Sequence, residues 1–332
     1  MLKVLKKGLS AALFATFACL PCTAQQYVQG YGVLRLPASS HAAALGGENI
    51  SNIDDEPAAG WANPALLSVV SDKSIGLNFM TYNSGSIVAG AQFVKAFGER
   101  HTGMVAAQYL GFGSMEGRDA DGIETGKFTP KDIVIALGYS YLLSERWAGG
   151  ATLKLTSQNY GGYSSFATSF DLGLNYFVEE SDFSLSFAAR NLGAQLKSFH
   201  NGQTLKLPFT LQAGLSKGFE HIPLRFTLTM TDLTRWSSDD YYLPEGKEKL
   251  GFGQLLLNHF VLGLDILPTD YLYLSAGYNF RRAYELKSAG SSKLAGLTFG
   301  GGLRLKRFKL GVSFAKYHVG NSSLMFNVGY AL

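Results

Sequence analysis

The sequence predicts an all-β fold: a 14-stranded antiparallel transmembrane β-barrel preceded by a short N-terminal plug, or hatch. Three observations predict it. The chain opens with a secretory leader. Segments of period two recur from residue 74 to the last residue. The connections between these segments alternate between short and long.

The leader comes first. Lys3, Lys6 and Lys7 form a basic start, Leu9 to Leu20 is a short apolar core, and Cys22-Thr23-Ala24 places small residues where a signal peptidase cuts. The expected division is a signal peptide over 1–24, a plug over 25–73 and a barrel over 74–332. Both cysteines, Cys19 and Cys22, fall in the leader. The exported chain is then expected to have no disulfide, thiolate nucleophile or cysteine metal site.

Composition narrows the class. Of 332 residues only 16% are charged, 13% are aromatic and 39 are glycine. A soluble domain usually carries about 25% charged residues. The net charge of +4 is too small to argue for nucleic acid, and no basic stripe is interleaved with aromatics. No later segment offers about 18 consecutive apolar residues, so spanning helices are excluded.

The strands carry the main signal. In 132–141, Ile133, Ile135, Leu137, Tyr139 and Tyr141 share one face, and Asp132, Val134, Ala136, Gly138 and Ser140 share the other. The segments 166–177 and 224–232 alternate in the same way. Fourteen candidates follow: 74–82, 86–97, 102–112, 131–142, 147–158, 166–177, 183–191, 209–217, 223–233, 257–267, 271–281, 294–305, 308–318 and 323–332. Their lengths suit a tilted strand crossing a bilayer, about 9–11 residues.

Every even-numbered connection is short, whereas most odd-numbered ones are long: 113–130, 159–165, 192–208, 234–256 and 282–293. A barrel with both termini on one side has short periplasmic turns and long external loops. Tyr139, Tyr141, Trp147, Tyr176, Phe177, Tyr271, Tyr273, Phe280 and Phe308 stand near strand ends, as interfacial girdles do. The segment before the first strand carries helix signals. Ser39 or Ser40 is a candidate cap, Gly46 a stop, and Asn63-Pro64 a cap followed by proline at the first helical position. A lumen of this size needs filling, and this segment is expected to fill it.

The stretch 43–68, with Gly46-Gly47, Asp54-Asp55 and Asn63-Pro64-Ala65 in that order, resembles the hatch of the FadL-like outer-membrane proteins. Together with "FSLSFAARNLG" (183–193), "LPFTLQAGLS" (207–216) and the compact length, the chain looks most like the PorV/PorQ branch of that superfamily, barrels of the type IX secretion system of Bacteroidota. The resemblance implies a non-enzymatic outer-membrane component. It would anchor a surface attachment-complex partner, a PorZ-like protein with PorU and PorV in the wider complex, through its external loops. The alternative is a FadL-like transporter of a hydrophobic small molecule. FadL transporters run longer, and the inward faces here show no unusually apolar set.

Candidate residues follow from these readings. Gly46, Gly47, Asn63, Pro64 and Ala65 shape the plug, and Asp54 and Asp55 are expected to meet inward Lys or Arg. Lys154, Asp171 and Arg190 fall midway along inward faces of successive strands and are expected to form one ion network. Arg225 and Asp265 are expected to pair near the periplasmic end. Trp236, Tyr241 and Tyr242, on loop 234–256, are candidate exposed anchors for a partner. Outer-membrane lipid would cover the apolar faces. No cofactor, metal or catalytic set is expected. "FGGGLRL" (299–305) lacks a phosphate-loop lysine, "RDADGIE" (118–124) has its carboxylates at the wrong offsets for a calcium loop, and the six histidines are scattered.

Overall fold

The computed structural model describes residues 30–83, 85–118, 121–199, 204–219, 221–243, 248–290 and 294–332. The leader, with its cleavage position after Ala24, lies outside the described residues, as do residues 25–29 of the plug segment.

Among the described residues sixteen strands form: β1 (Ser74–Thr81), β2 (Ile87–Phe97), β3 (His101–Gly111), β4 (Met115–Arg118), β5 (Glu124–Phe128), β6 (Lys131–Leu142), β7 (Trp147–Tyr160), β8 (Tyr163–Val178), β9 (Phe183–Lys197), β10 (Thr210–Phe219), β11 (Ile222–Met230), β12 (Phe260–Thr269), β13 (Leu272–Asn279), β14 (Leu297–Arg304), β15 (Phe308–Ala315) and β16 (Ser323–Ala331). Fourteen of them close into one antiparallel barrel, and β4 and β5 make a separate hairpin within a loop. Closure is made by β1 against β16, from Ser74↔Ala331 to Met80↔Met325. A closed sheet leaves no unpaired edge, which is the condition for strands to cross hydrocarbon.

Period two sorts the side chains. Ile75, Leu77, Phe79, Ile133, Ile135, Leu137, Phe170, Leu172, Leu324, Phe326 and Val328 point outward and are exposed. Asn78, Asp132, Ser140, Thr152, Ser169, Asp171, Asn175 and Asp265 point inward and are buried. Near the short turns the outer face carries Phe97, Tyr139, Trp147, Phe219, Tyr271 and Phe308, with Trp147 and Tyr176 rings 4.9 Å apart. Aromatic rings suit the lipid–water boundary.

The connections β2–β3, β6–β7, β8–β9, β10–β11, β12–β13 and β14–β15 each span two to four residues. The longest connections are all on the opposite side. The expected long connection at 159–165 is instead a two-residue turn. Tyr160 pairs with Tyr163, and Gly161 and Gly162 take φ of 57° and 93°. Two positive φ values suit a type I′ hairpin, and β7 and β8 run to 14 and 16 residues, more than the about 9–11 that a crossing needs.

Two loops contain helices that the strand reading missed. Helix Phe252–Leu257 precedes β12, so that strand begins at Phe260 rather than at 257. Helix Phe280–Ser288 cuts short the expected strand 271–281. There the Asn279 side chain accepts from the Arg282 amide at 2.9 Å, a cap that ends the strand and starts the helix. Tyr273 also departs from expectation. It shares a face with Ser275 and Asn279, points inward and is buried, so it does not belong to the girdle.

Cysteine substitutions test the orientation. Ile123→Cys and Asp239→Cys, on the long-loop side, should react with a membrane-impermeant maleimide on intact cells. Glu145→Cys, in a short turn, should react only after the outer membrane is opened. The opposite labelling pattern would invert the topology.

Candidate functional site: the plugged lumen

Residues 30–70 pack inside the barrel, and two of their four short helical pieces seat them on the wall. The first is helix Ser40–Ala44. Ser39 caps it, accepting from the Ala42 amide at 3.1 Å. Gly46 and Gly47 end it with φ of 96° and 90°, and the Gly47 amide returns to the Ala42 carbonyl at 2.8 Å. This is the Schellman arrangement, whose left-handed residue favours glycine. The helix lies against β13 to β16. A Cβ at Gly277, Gly300 or Gly311 would collide with it.

The second piece is the 3-10 helix Pro64–Val69. Asn63 is fully buried; its side chain accepts from the Ala65 amide at 3.0 Å and donates to the Ile50 carbonyl at 3.0 Å. Pro64 takes the first helical position. The helix lies against β6, β7 and β8. Gly150 and Gly173, paired across β7 and β8, leave bare backbone where Asn63, Pro64 and Ala65 approach, and side chains there would strike them.

Between these anchors runs a chain of charges near the short-turn end. His41 Nε2 meets Asp265 Oδ1 at 2.8 Å, and His41 Nδ1 meets Asp54 Oδ2 at 2.6 Å. Asp54 also faces Arg304 at 2.7 Å and Arg225 at 3.5 Å. Arg225 Nε reaches Asp182 at 2.9 Å. With both ring nitrogens on carboxylates, His41 is an imidazolium, and three acids balance three cations. Burial opposes the charge on His41, but Asp265 and Asp54 outweigh it and raise its pKa from 6.5 to about 10. Burial likewise opposes ionisation of Asp54, yet Arg304, His41 and Arg225 hold it far below its ordinary value. Asp55 takes Lys309, and accepts from the Ser71 amide and hydroxyl at 2.7 and 2.6 Å.

The structure places Arg225 and Asp265 in register on β11 and β12, but they do not form an ion pair with each other. Arg225 turns to Asp182 and Asp54, and Asp265 to His41 and to the Ser275 hydroxyl at 2.5 Å. Lys154 and Asp171 pair at 2.5 Å, both fully buried. Arg190 does not join them. A register shift opposite Asp171 leaves Asn191 with φ of 59°, and the Asn191 amide donates to Asp171 at 2.7 Å. The bulge occupies Asp171 and sends Arg190 to Glu48 of the plug, 3.6 Å away.

A second cluster escaped sequence reasoning. Asp232, at φ of 53°, gathers Arg281 at 2.5 Å, Arg35 at 3.5 Å and Arg235 at 3.6 Å. It ties the plug to two long loops. Of the expected loop anchors, Trp236 and Tyr242 are exposed. Tyr241 is buried, because its hydroxyl donates to the Arg235 carbonyl at 2.9 Å and Arg281 lies over its ring at 4.9 Å.

The inner wall has an apolar sector, contrary to expectation. Met325, Met80, Val88 and Leu110 form a row across β16, β1, β2 and β3, each paired with the next and each almost fully buried. Tyr31, Val33, Leu34 and Leu36 of the plug belong to the same apolar cluster. Half-buried Tyr82, Phe112, Leu205 and Tyr317 surround it. The row lies at the long-loop ends of its strands, so one sector of the outer lumen is apolar.

No family model matches the sequence, and no curated protein matches it. Solved structures do. The Pseudomonas putida toluene transporter TodX superposes with a TM-score of 0.51 and 14% identity, over 91% of this chain and 97% of that one. A TodX deltaS2S3 mutant, described as a monoaromatic hydrocarbon channel, gives 0.55 and 16% over 91% and 98%. The monoaromatic hydrocarbon channel CymD gives 0.54 and 16% over 89% and 97%.

The His41 chain sets a pH dependence. His41 has a higher pKa in the docked plug than in free peptide, so its contribution is complete below about 6.5 and is lost as pH rises toward about 10. Asp54 has a lower one, so its contribution is complete above about 3.8 and is lost as pH falls below that. Protection of the plug from added protease should therefore be greatest between these limits and fall on both sides. In His41→Gln the alkaline loss should disappear; a flat profile in the unaltered protein would remove the charge chain as the holding device.

With its closed fourteen-strand sheet, its lipid-facing apolar surface and this likeness, the chain has the fold of these channels and is a β-barrel of the bacterial outer membrane.

Proposed function

We propose that this barrel passes a small hydrophobic molecule across the outer membrane. The observation that carries the reading is the apolar row Met325–Met80–Val88–Leu110, set behind an aromatic rim of Tyr82, Phe112 and Tyr317 on the long-loop side. A porin for polar solutes has a polar, water-filled interior. An apolar wall at the outer mouth favours a solute that leaves water readily. The described plug residues fill the lumen below the row, so passage requires the plug to shift. The shared fold with TodX and CymD supports this reading.

A second reading, a type IX secretion component that holds a PorZ-like surface partner, draws support from the hatch motif and from one loop. Trp236, Tyr242, Phe252 and Leu257 are all exposed on the β11–β12 connection. Large exposed apolar side chains on one loop suit a protein interface.

The two readings separate in cells that lack the barrel and are complemented by variants. Under the first, Val88→Asp should lower uptake of radiolabelled toluene about tenfold, a barrier change of about 1.4 kcal/mol. Trp236→Ala/Tyr242→Ala should leave uptake intact. Heat-modifiable gel mobility checks that both variants fold. If uptake does not depend on the barrel and the loop variant instead releases a surface protein, the secretion reading replaces the first.

A further inference from the structure

Asp232 faces three guanidiniums and bonds only one of them closely. Arg281 Nη1 donates to its Oδ2 at 2.5 Å. Arg35 Nη2 and Arg235 Nε share its Oδ1, at 3.5 and 3.6 Å. A full N⁺–H···O⁻ bond is shorter, about 2.7–2.9 Å. Arg35 is therefore loosely held. Its Nε is buried without an acceptor, and among the described residues it forms no second ion pair.

The three arginines come from three parts of the chain. Arg35 ends the 3-10 turn Gly32–Arg35 of the plug, whose Val33 and Leu34 are buried in the apolar cluster. Arg235 follows β11. Arg281 lies in the first turn of helix Phe280–Ser288, braced by Glu285 at 2.8 Å and by the Tyr241 ring at 4.9 Å. The Asp232 backbone is fixed at their junction. Its amide donates to the Thr210 hydroxyl at 3.1 Å, and its φ of 53° lies in the left-handed region, where Asp and Asn are among the few tolerated side chains. Like charges so placed repel one another, and a carboxylate drawn to one guanidinium is drawn away from the others. The plug and the outer helix thus compete for Asp232, and in this structure the helix holds it.

We propose that Asp232 is a switch between the outer loops and the plug. While Arg281 occupies the carboxylate, the plug's opening turn is loosened; when the helix withdraws, Arg35 takes its place and the turn is locked. The exposed loop beside it supplies a handle. Trp236 stacks on His259 with ring centres 4.1 Å apart, Tyr241 meets the same ring edge-on at 6.1 Å, and Arg281 covers Tyr241. Pressure on Trp236 therefore reaches Arg281. The switch goes beyond the passage of a solute and rests on these contacts alone.

The test is hydrogen exchange of the full exported chain in detergent micelles. It is read at the Leu34 and Leu36 amides, which donate to the Tyr31 and Val33 carbonyls at 3.0 and 3.3 Å. Their local opening measures how firmly the turn is held. Arg281→Gln removes the competitor and should slow exchange there about threefold, the scale of one weak ion pair. Glu285→Gln frees Arg281 for Asp232 and should speed it. Asp232→Asn takes the acceptor from Arg35 and should speed it as well; if that variant does not fold, the other two carry the test with opposite signs. Exchange in β1 and β16 should stay as in the unaltered protein and report an intact barrel. A merely structural role for Arg281 predicts the reverse, since loss of a supporting contact loosens the turn. Faster or unchanged exchange in Arg281→Gln overturns the proposal, as does slower or unchanged exchange in Glu285→Gln. Because no transport is measured, a failed toluene assay leaves this result standing.

Discussion

A strand in hydrocarbon must satisfy every backbone N–H and C=O within the protein, and the pairing of β1 with β16 is where this chain meets that demand. Closure fixes everything downstream. It gives each strand one lipid face and one inner face, hence period two. It also encloses a lumen wider than side chains alone can fill. The plug is the response to that space, and its seats are built into the wall. Glycines at 150, 173, 277, 300 and 311 remove side chains where the two helical pieces touch.

Filling a lumen with polypeptide brings buried polar groups with it, and these need partners. The solution differs between the two ends. Toward the short turns, charges from the plug and four wall positions neutralise one another around His41. Toward the long loops two kinds of contact hold the plug: the apolar cluster around Met80 and Val88, and the ion cluster of Asp232 with Arg35, Arg281 and Arg235. The charge chain around His41 also holds the plug in its seat.

The fold was legible because lipid imposes a strict pattern. The apolar faces of 74–82, 131–142 and 323–332 and the alternating connection lengths read directly as strands and sides. The loop helices were not legible as such, because their start depends on local caps. Asn279 ends β13 by bonding the Arg282 amide, which no face pattern shows. Tyr273 was placed outward on its chemistry although the alternation of its own strand puts it inward. The capping signals at Gly46 and Asn63 were local and so legible: the first helix ends before Gly46, and the 3-10 helix starts after Asn63. The importance of His41 was hidden, since a histidine between Ser40 and Ala42 carries no sign of the carboxylates around it. The apolar row was hidden for a related reason. Met80, Val88, Leu110 and Met325 come from four strands and look unremarkable singly; only their register lines them up. Arg190 read correctly as inward, but its partner changed because the bulge at Asn191 gave Asp171 a backbone donor.

Under the proposed channel function, this barrel conducts only when the plug leaves its seat. The Ser40 Cβ lies 3.6 Å from where a Cβ at position 311 would stand, within the usual Cβ–Cβ range of a disulfide. The double variant Ser40→Cys/Gly311→Cys would pin the first plug helix to β15. Toluene uptake in cells carrying it should be low while the disulfide is intact and return on reduction. Uptake that stays at the level of the unaltered protein with the disulfide fully formed would show that the seated plug does not block the path.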